Sequence, residues 1–121
     1  MRLPRLLLPA AAALAATVLA AGCGGAGGTG PAVATDHVQM AKSYRFDPDV
    51  IRIKAGDTVT WTNNDNFTHS VQLLDGGLPT EPMVMNTGGG IATFTFTQAG
   101  TFHYQCSFHP QNMKGTVVVT P

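Results

Sequence analysis

The sequence predicts an all-β domain, an antiparallel β-sandwich of seven or eight short strands. Three observations carry that expectation. From about residue 35 onward, apolar residues recur with period two in short runs, as half-buried strands require. Gly, Pro, Asn and Asp punctuate the gaps between the runs. No stretch of this part shows the i, i+3, i+4 recurrence of an amphipathic helix.

The elements follow in order. Residues 36–41 alternate polar and apolar, and a short piece at 44–46 comes next. Val50-Ile51-Arg52-Ile53-Lys54 is rich in β-branched residues and ends at the turn signal Ala55-Gly56-Asp57. Thr58-Val59-Thr60-Trp61-Thr62 alternates, with Trp61 as a core residue, and stops at Asn63-Asn64-Asp65-Asn66. The run 69–74 ends at Asp75-Gly76-Gly77, and a long connection over 78–85 carries Met83 and Met85. Those two methionines are read equally as packing or as an adaptable surface for a partner. Ala92-Thr93-Phe94-Thr95-Phe96 alternates again, Ala99-Gly100 breaks it, and runs at 101–106 and 115–119 close the chain. A domain of about 90 residues buries only about 60–65% of its unfolded surface, enough for one modest core.

The N-terminus has a different character. Arg2 and Arg5 precede an apolar run over 6–19, the layout of a secretory signal. That run falls short of the ~20 apolar residues of a membrane span. It leads into Leu19-Ala20-Ala21-Gly22-Cys23, which resembles a bacterial lipoprotein cleavage site with Cys23 as the acylated first residue. Ala20 stands where that pattern usually has a large aliphatic residue; ordinary cleavage nearby, leaving Cys23 a stray thiol, is the alternative. The expected organisation is a lipoprotein-type signal peptide over 1–22, a Gly-rich tether over 23–34 and the β domain over 35–121. The expected location is the outer side of a bacterial membrane, in the periplasm or at the cell surface, held by lipid.

Seven basic residues face seven acidic ones, and loss of Arg2 and Arg5 leaves five against seven. Basic clusters interleaved with aromatics do not occur, which argues against nucleic-acid binding. Two cysteines in an exported chain raise the question of a disulfide. Cys23 borders the tether, where a bridge would staple little, and Cys106 belongs to a more specific cluster.

That cluster is Cys106-Ser107-Phe108-His109-Pro110-Gln111-Asn112-Met113, together with His69 upstream. Residues two apart in a strand share a face. Phe102, Tyr104 and Cys106 therefore point one way, inward by their aromatics, while His103 and Gln105 point to solvent. By the same rule His69, Val71 and Leu73 face the core. Bringing His69 to Cys106 closes a loop at a cost of roughly 3 kcal/mol of chain entropy. One thiolate and two imidazoles suit a trigonal copper site, and a thioether supplies a weak axial bond. Zinc fits less well, because structural zinc sites use Cys and His and rarely a thioether. A Cys-His nucleophile is a further alternative, but no third group is evident to orient the base. His37 and His103 are read as solvated side chains.

Phe46-x-Pro48, the run from Lys54 to Asn63 around Trp61, His69-Ser70-Val71 and Gly100-Thr101-Phe102-x-Tyr104-x-Cys106-x-x-His109-Pro110 together resemble the cupredoxins. The similarity is greatest to the amicyanin and plastocyanin branch. It implies a Greek-key sandwich with one type 1 copper, cycling between Cu(I) and Cu(II), held by His69, Cys106, His109 and Met113. It also implies a monomeric electron carrier, not an enzyme, that meets a transient redox partner through the surface around His109. A copper-sequestering or copper-delivery module is the alternative. Three residues separate His109 from Met113, against two in amicyanin-like and four in plastocyanin-like loops. The residue after the first His is commonly Asn in these families. Here Ser70 would have to make the hydrogen bond joining the two ligand-bearing segments.

Overall fold

The computed structural model describes residues 30–121. The signal segment, Cys23 and most of the tether lie outside them. Ten strands form: β1 (Val33–Ala34), β2 (His37–Ala41), β3 (Arg45–Asp47), β4 (Val50–Lys54), β5 (Thr58–Asn63), β6 (His69–Leu73), β7 (Met83–Met85), β8 (Gly90–Thr95), β9 (Gly100–Gln105) and β10 (Lys114–Thr120). They make two sheets, one ordered β1-β4-β10-β9-β6-β7 and the other β3-β2-β5-β8. No helix occurs among the described residues, and the architecture is a β-sandwich.

Period-two patterning is visible strand by strand. Val38 and Met40 of β2, and Val59 and Trp61 of β5, are buried while their neighbours are not, so one face of each strand meets the core. β10 is inserted between β4 and β9, and Val117 and Val119 face inward from it. Tyr104 sits at the centre of the sandwich. Its ring meets Phe46 edge-on at 4.8 Å and Trp61 at 5.3 Å between centroids, arrangements that add to the area each ring buries.

Three differences from the sequence reading stand out. The sheets are mixed: β1 with β4, β4 with β10, and β2 with β5 run parallel. Chain crossovers between the sheets create these parallel neighbours, and alternation within a strand carries no information about them. Val33–Ala34, expected in the tether, pairs with Ile51 and Arg52. Met83–Met85, expected in a connection, pairs with His69–Val71 and completes that edge. Met85 is buried in the core and Met83 packs partly against it, so packing accounts for both. Neither short strand has a strong β-propensity of its own; each forms because a neighbouring strand offers unpaired backbone groups.

Candidate metal centre

The site grows out of a fork in the larger sheet. β6 and β9 pair at Gln72↔Gln105 and Leu73↔Tyr104. Toward the start of β6 the strands part, and side chains replace the backbone ladder. The Ser70 N–H points at Cys106 Sγ, 3.4 Å away, and the Ser70 hydroxyl lies 3.8 Å from the same sulfur. Ser70 Oγ accepts the Ser107 N–H at 2.8 Å and pairs with Ser107 Oγ at 2.7 Å. The serine after His69 thus joins the two segments, as its place in the sequence required.

Cys106 and Met113 are fully buried, and the loop between them is folded on its own backbone. The Cys106 N–H donates to the Met113 carbonyl at 3.0 Å, and the His109 N–H to the Cys106 carbonyl at 3.1 Å. The His109 carbonyl then accepts from both Asn112, at 3.2 Å, and Met113, at 3.0 Å. Two tight turns thereby absorb the intermediate spacing of His109 and Met113.

His69 and Cys106 face each other across the fork, with Nδ1 3.9 Å from Sγ. Metal–sulfur and metal–imidazole bonds of about 2.3 and 2.0 Å at a trigonal angle span about 3.7 Å. The separation therefore fits two ligands of one ion. The other edge of His69 is taken: Nε2 lies 3.0 Å from a carboxylate oxygen of Asp65. With the ring N–H donated there, Nδ1 keeps its lone pair toward the sulfur. The hydrogen bond from His69, assisted by the Asn66 N–H, holds the Asp65 carboxyl below the usual carboxylate range.

His109 is half-buried, its ring edge-on to His69 at 5.5 Å between centroids. Tyr44 packs against it at 4.4 Å, reaches His69 at 6.1 Å and stacks on Phe67 at 5.6 Å. Ser43 and Tyr44 both have positive φ, 76° and 56°. That conformation is rare for bulky residues, and here it lays the Tyr44 ring over the histidines. Among the described residues no three His, Cys, Asp or Glu side chains form a ready-made closed group. The structure brings His69 onto Cys106, sets His109 beside His69, and buries Met113 beneath the same loop.

The two remaining histidines lie apart from this arrangement. His37 is exposed beside Asp36, and His103 is half-exposed with its N–H donated to Asp75. Sequence reasoning missed Asp65, Asn63 and Tyr44. The run Asn63 to Asn66 looked like an ordinary turn, and no spacing rule ties a loop carboxylate to a histidine four residues later.

A β-sandwich whose end holds a buried thiol facing an imidazole, under a His- and Met-bearing loop, is the architecture of a small copper-binding protein, a cupredoxin. A family model described as copper binding proteins, plastocyanin/azurin family, matches residues 33–120. Amicyanin-alpha of Methylorubrum extorquens is 40% identical over 117 residues, covering 90% of this chain and 94% of that protein. Amicyanin of Paracoccus denitrificans is 37% identical over 86 residues, 68% of this chain, and the match spans 63% of that protein's length. Among solved structures, a reduced amicyanin variant superposes with TM-score 0.61 at 37% identity, over 69% of this chain and 80% of its own. A purple cupredoxin from Nitrosopumilus maritimus superposes with TM-score 0.60 at 30% identity, over 69% of this chain and 98% of its own. The chain belongs to the copper-binding proteins of the plastocyanin/azurin family, and its cofactor is one copper ion.

Proposed function

We propose that His69, Cys106, His109 and Met113 hold this copper as a type 1 centre, and that the protein carries single electrons between partners outside the cytoplasm. The observation that carries the reading is the 3.9 Å approach of Cys106 Sγ to His69 Nδ1, with the Ser70 N–H aimed at the same sulfur. Bound copper supplies a one-electron couple between Cu(II) and Cu(I). The chain's residues do the rest. Cys106, as thiolate, would be the strongest donor to the ion, and the Ser70 N–H, 3.4 Å from the same sulfur, would moderate its charge. His69 and His109 would add two imidazole donors, and Met113 a weaker thioether one. Strand β6 carries His69 and β9 ends one residue before Cys106, so a rigid frame would hold two of these donors alike in both oxidation states.

His109 is the donor nearest solvent. Phe108, 52% exposed, and Pro110 flank it on a shallow depression that also includes Gln111 and Asn112. An apolar rim around a half-exposed ligand suits a brief contact, typically under about 1,200 Å² of buried surface. The protein works as a monomeric carrier and catalyses no bond-making step. Signal cleavage before Cys23 and acylation of that residue would tether it to the outer face of the membrane; intact mass of the mature protein checks this.

Loading the soluble domain with Cu(II) and recording visible and electron paramagnetic spectra tests the centre. An intense thiolate-to-copper band with a small parallel hyperfine splitting is expected, and Cys106→Ser should abolish the band while leaving the fold intact. A colourless tetragonal Cu(II) spectrum would refute the reading. Reversible voltammetry with fast self-exchange distinguishes a carrier from a module that only stores or delivers copper.

A further inference from the structure

Among the described residues, copper ligation leaves one buried carboxylate without a role. Asp65 lies in the turn between β5 and β6 and is only 6% exposed. Its Oδ2 lies 3.0 Å from Nε2 of the fully buried His69, and its Oδ1 accepts the Asn66 N–H at 2.7 Å. Burying a carboxylate costs several kcal/mol unless hydrogen bonds or an opposite charge compensate it. A backbone carbonyl would orient the imidazole equally well without that cost. The turn is nevertheless built to hold the carboxylate. Asn63, itself fully buried, accepts the Asp65 N–H at 3.0 Å through Oδ1, and its Nδ2 donates to the carbonyls of Phe67 at 2.8 Å and Met85 at 3.0 Å. Every polar atom of the Asn63 amide is used, so the position of Asp65 is determined from β5, from β7 and from its own turn.

A full negative charge on the far edge of a ligand ring does more than fix a tautomer. It draws the Nε2 proton toward oxygen and raises the donor strength of Nδ1. It also acts electrostatically across a water-poor site, where screening is weak. Both effects favour a dication over a monocation.

We propose that Asp65 is a positioning residue that binds His69 through Nε2–H and stabilises Cu(II) relative to Cu(I), lowering the reduction potential of the centre. The inference rests on His69 being a copper ligand, as proposed above. Asp65 touches no metal itself; it acts through the imidazole.

The test is Asp65→Asn, which keeps shape and an acceptor oxygen and removes only the charge. Expected is at least a tenfold loss in the preference for Cu(II) over Cu(I), read from the two dissociation constants. A tenfold change corresponds to a midpoint raised by about 59 mV for one electron. The intense visible band should persist. A variant that keeps this band with an unchanged midpoint overturns the proposal, since a merely structural role would alter stability and not potential. A wild-type protein that forms no such copper centre overturns the copper reading, and this inference with it. Should the variant not fold, the Cu(I)-loaded wild type decides by nitrogen-15 and proton magnetic resonance. The Nε2 proton of His69 should exchange slowly and lie downfield of that of His109. Equal exchange and equal shifts overturn the proposal.

Discussion

Replacing Ser70 with Ala should weaken the protein more than replacing Ser107, although the two hydroxyls lie 2.7 Å apart and share one hydrogen bond. Ser107→Ala removes only that bond. Ser107 is half-exposed, so water can take over, and the loss belongs at the low end of the usual range, about 0.5–1 kcal/mol. Ser70→Ala removes the same bond and also the acceptor of the Ser107 N–H at 2.8 Å, on a side chain with no exposure. Leaving that part-buried donor without its partner adds about 1–2 kcal/mol, for a total of roughly 1.5–3 kcal/mol. In a domain of this size each kcal/mol moves the melting temperature by about 4–8 °C. Ser70→Ala should therefore melt about 6–24 °C lower and Ser107→Ala only about 2–8 °C lower, by calorimetry on the apo-protein. The double variant should melt close to Ser70→Ala alone, because the shared bond is lost once. The backbone N–H from Ser70 to Cys106 Sγ survives both substitutions, so copper-loaded Ser70→Ala should keep its thiolate band. Equal melting of the two single variants, or a larger loss for Ser107→Ala, would show that the hydroxyl pair does not tie the segments as described.

Two further expectations concern the core beneath the site. A Cβ on Gly115 would lie within 3.0 Å of two ring carbons and the hydroxyl oxygen of Tyr104, whose ring Phe46 and Trp61 pin from other sides. Gly115→Ala should cost about 2–3 kcal/mol by overpacking, measured by urea unfolding, whereas Gly76→Ala, with open space around it, should stay within about 0.5 kcal/mol. Burial pushes the Tyr104 hydroxyl far above its ordinary value of 10.0. Ionisation is then available to the unfolded chain and denied to the folded one, so stability is fully present below pH 10.0 and falls as pH rises above it. Tyr104→Phe should flatten that alkaline decline in denaturant titrations, and a decline of unchanged steepness would contradict the assignment.

Much of the candidate site was legible in the sequence because its signals are local. Cys106, His109 and Met113 lie on one short loop, and period-two alternation turns His69 and Cys106 toward the core without reference to any other strand. The same alternation leaves His103 off the inner face. Turn residues marked eight of the strands, since Gly, Asn and Asp act through their own backbone preferences.

What tertiary structure decided is everything that depends on which strands become neighbours. Alternation says which way a side chain points, but not which strand lies beside it. The parallel pairing of β4 with β10, the recruitment of Val33–Ala34 and Met83–Met85 to sheet edges, and the fork that turns the Ser70 N–H onto sulfur all follow from long-range pairing. So does the second layer of the site. Asp65 reaches His69 only because Asn63 is tied to the Met85 carbonyl across the turn, and Tyr44 covers His109 only because two residues adopt a left-handed backbone. The candidate donor types were written in the chain itself, in short-range chemistry. The groups that hydrogen-bond to them and pack against them are set by contacts between segments far apart in sequence, which pattern and propensity do not encode.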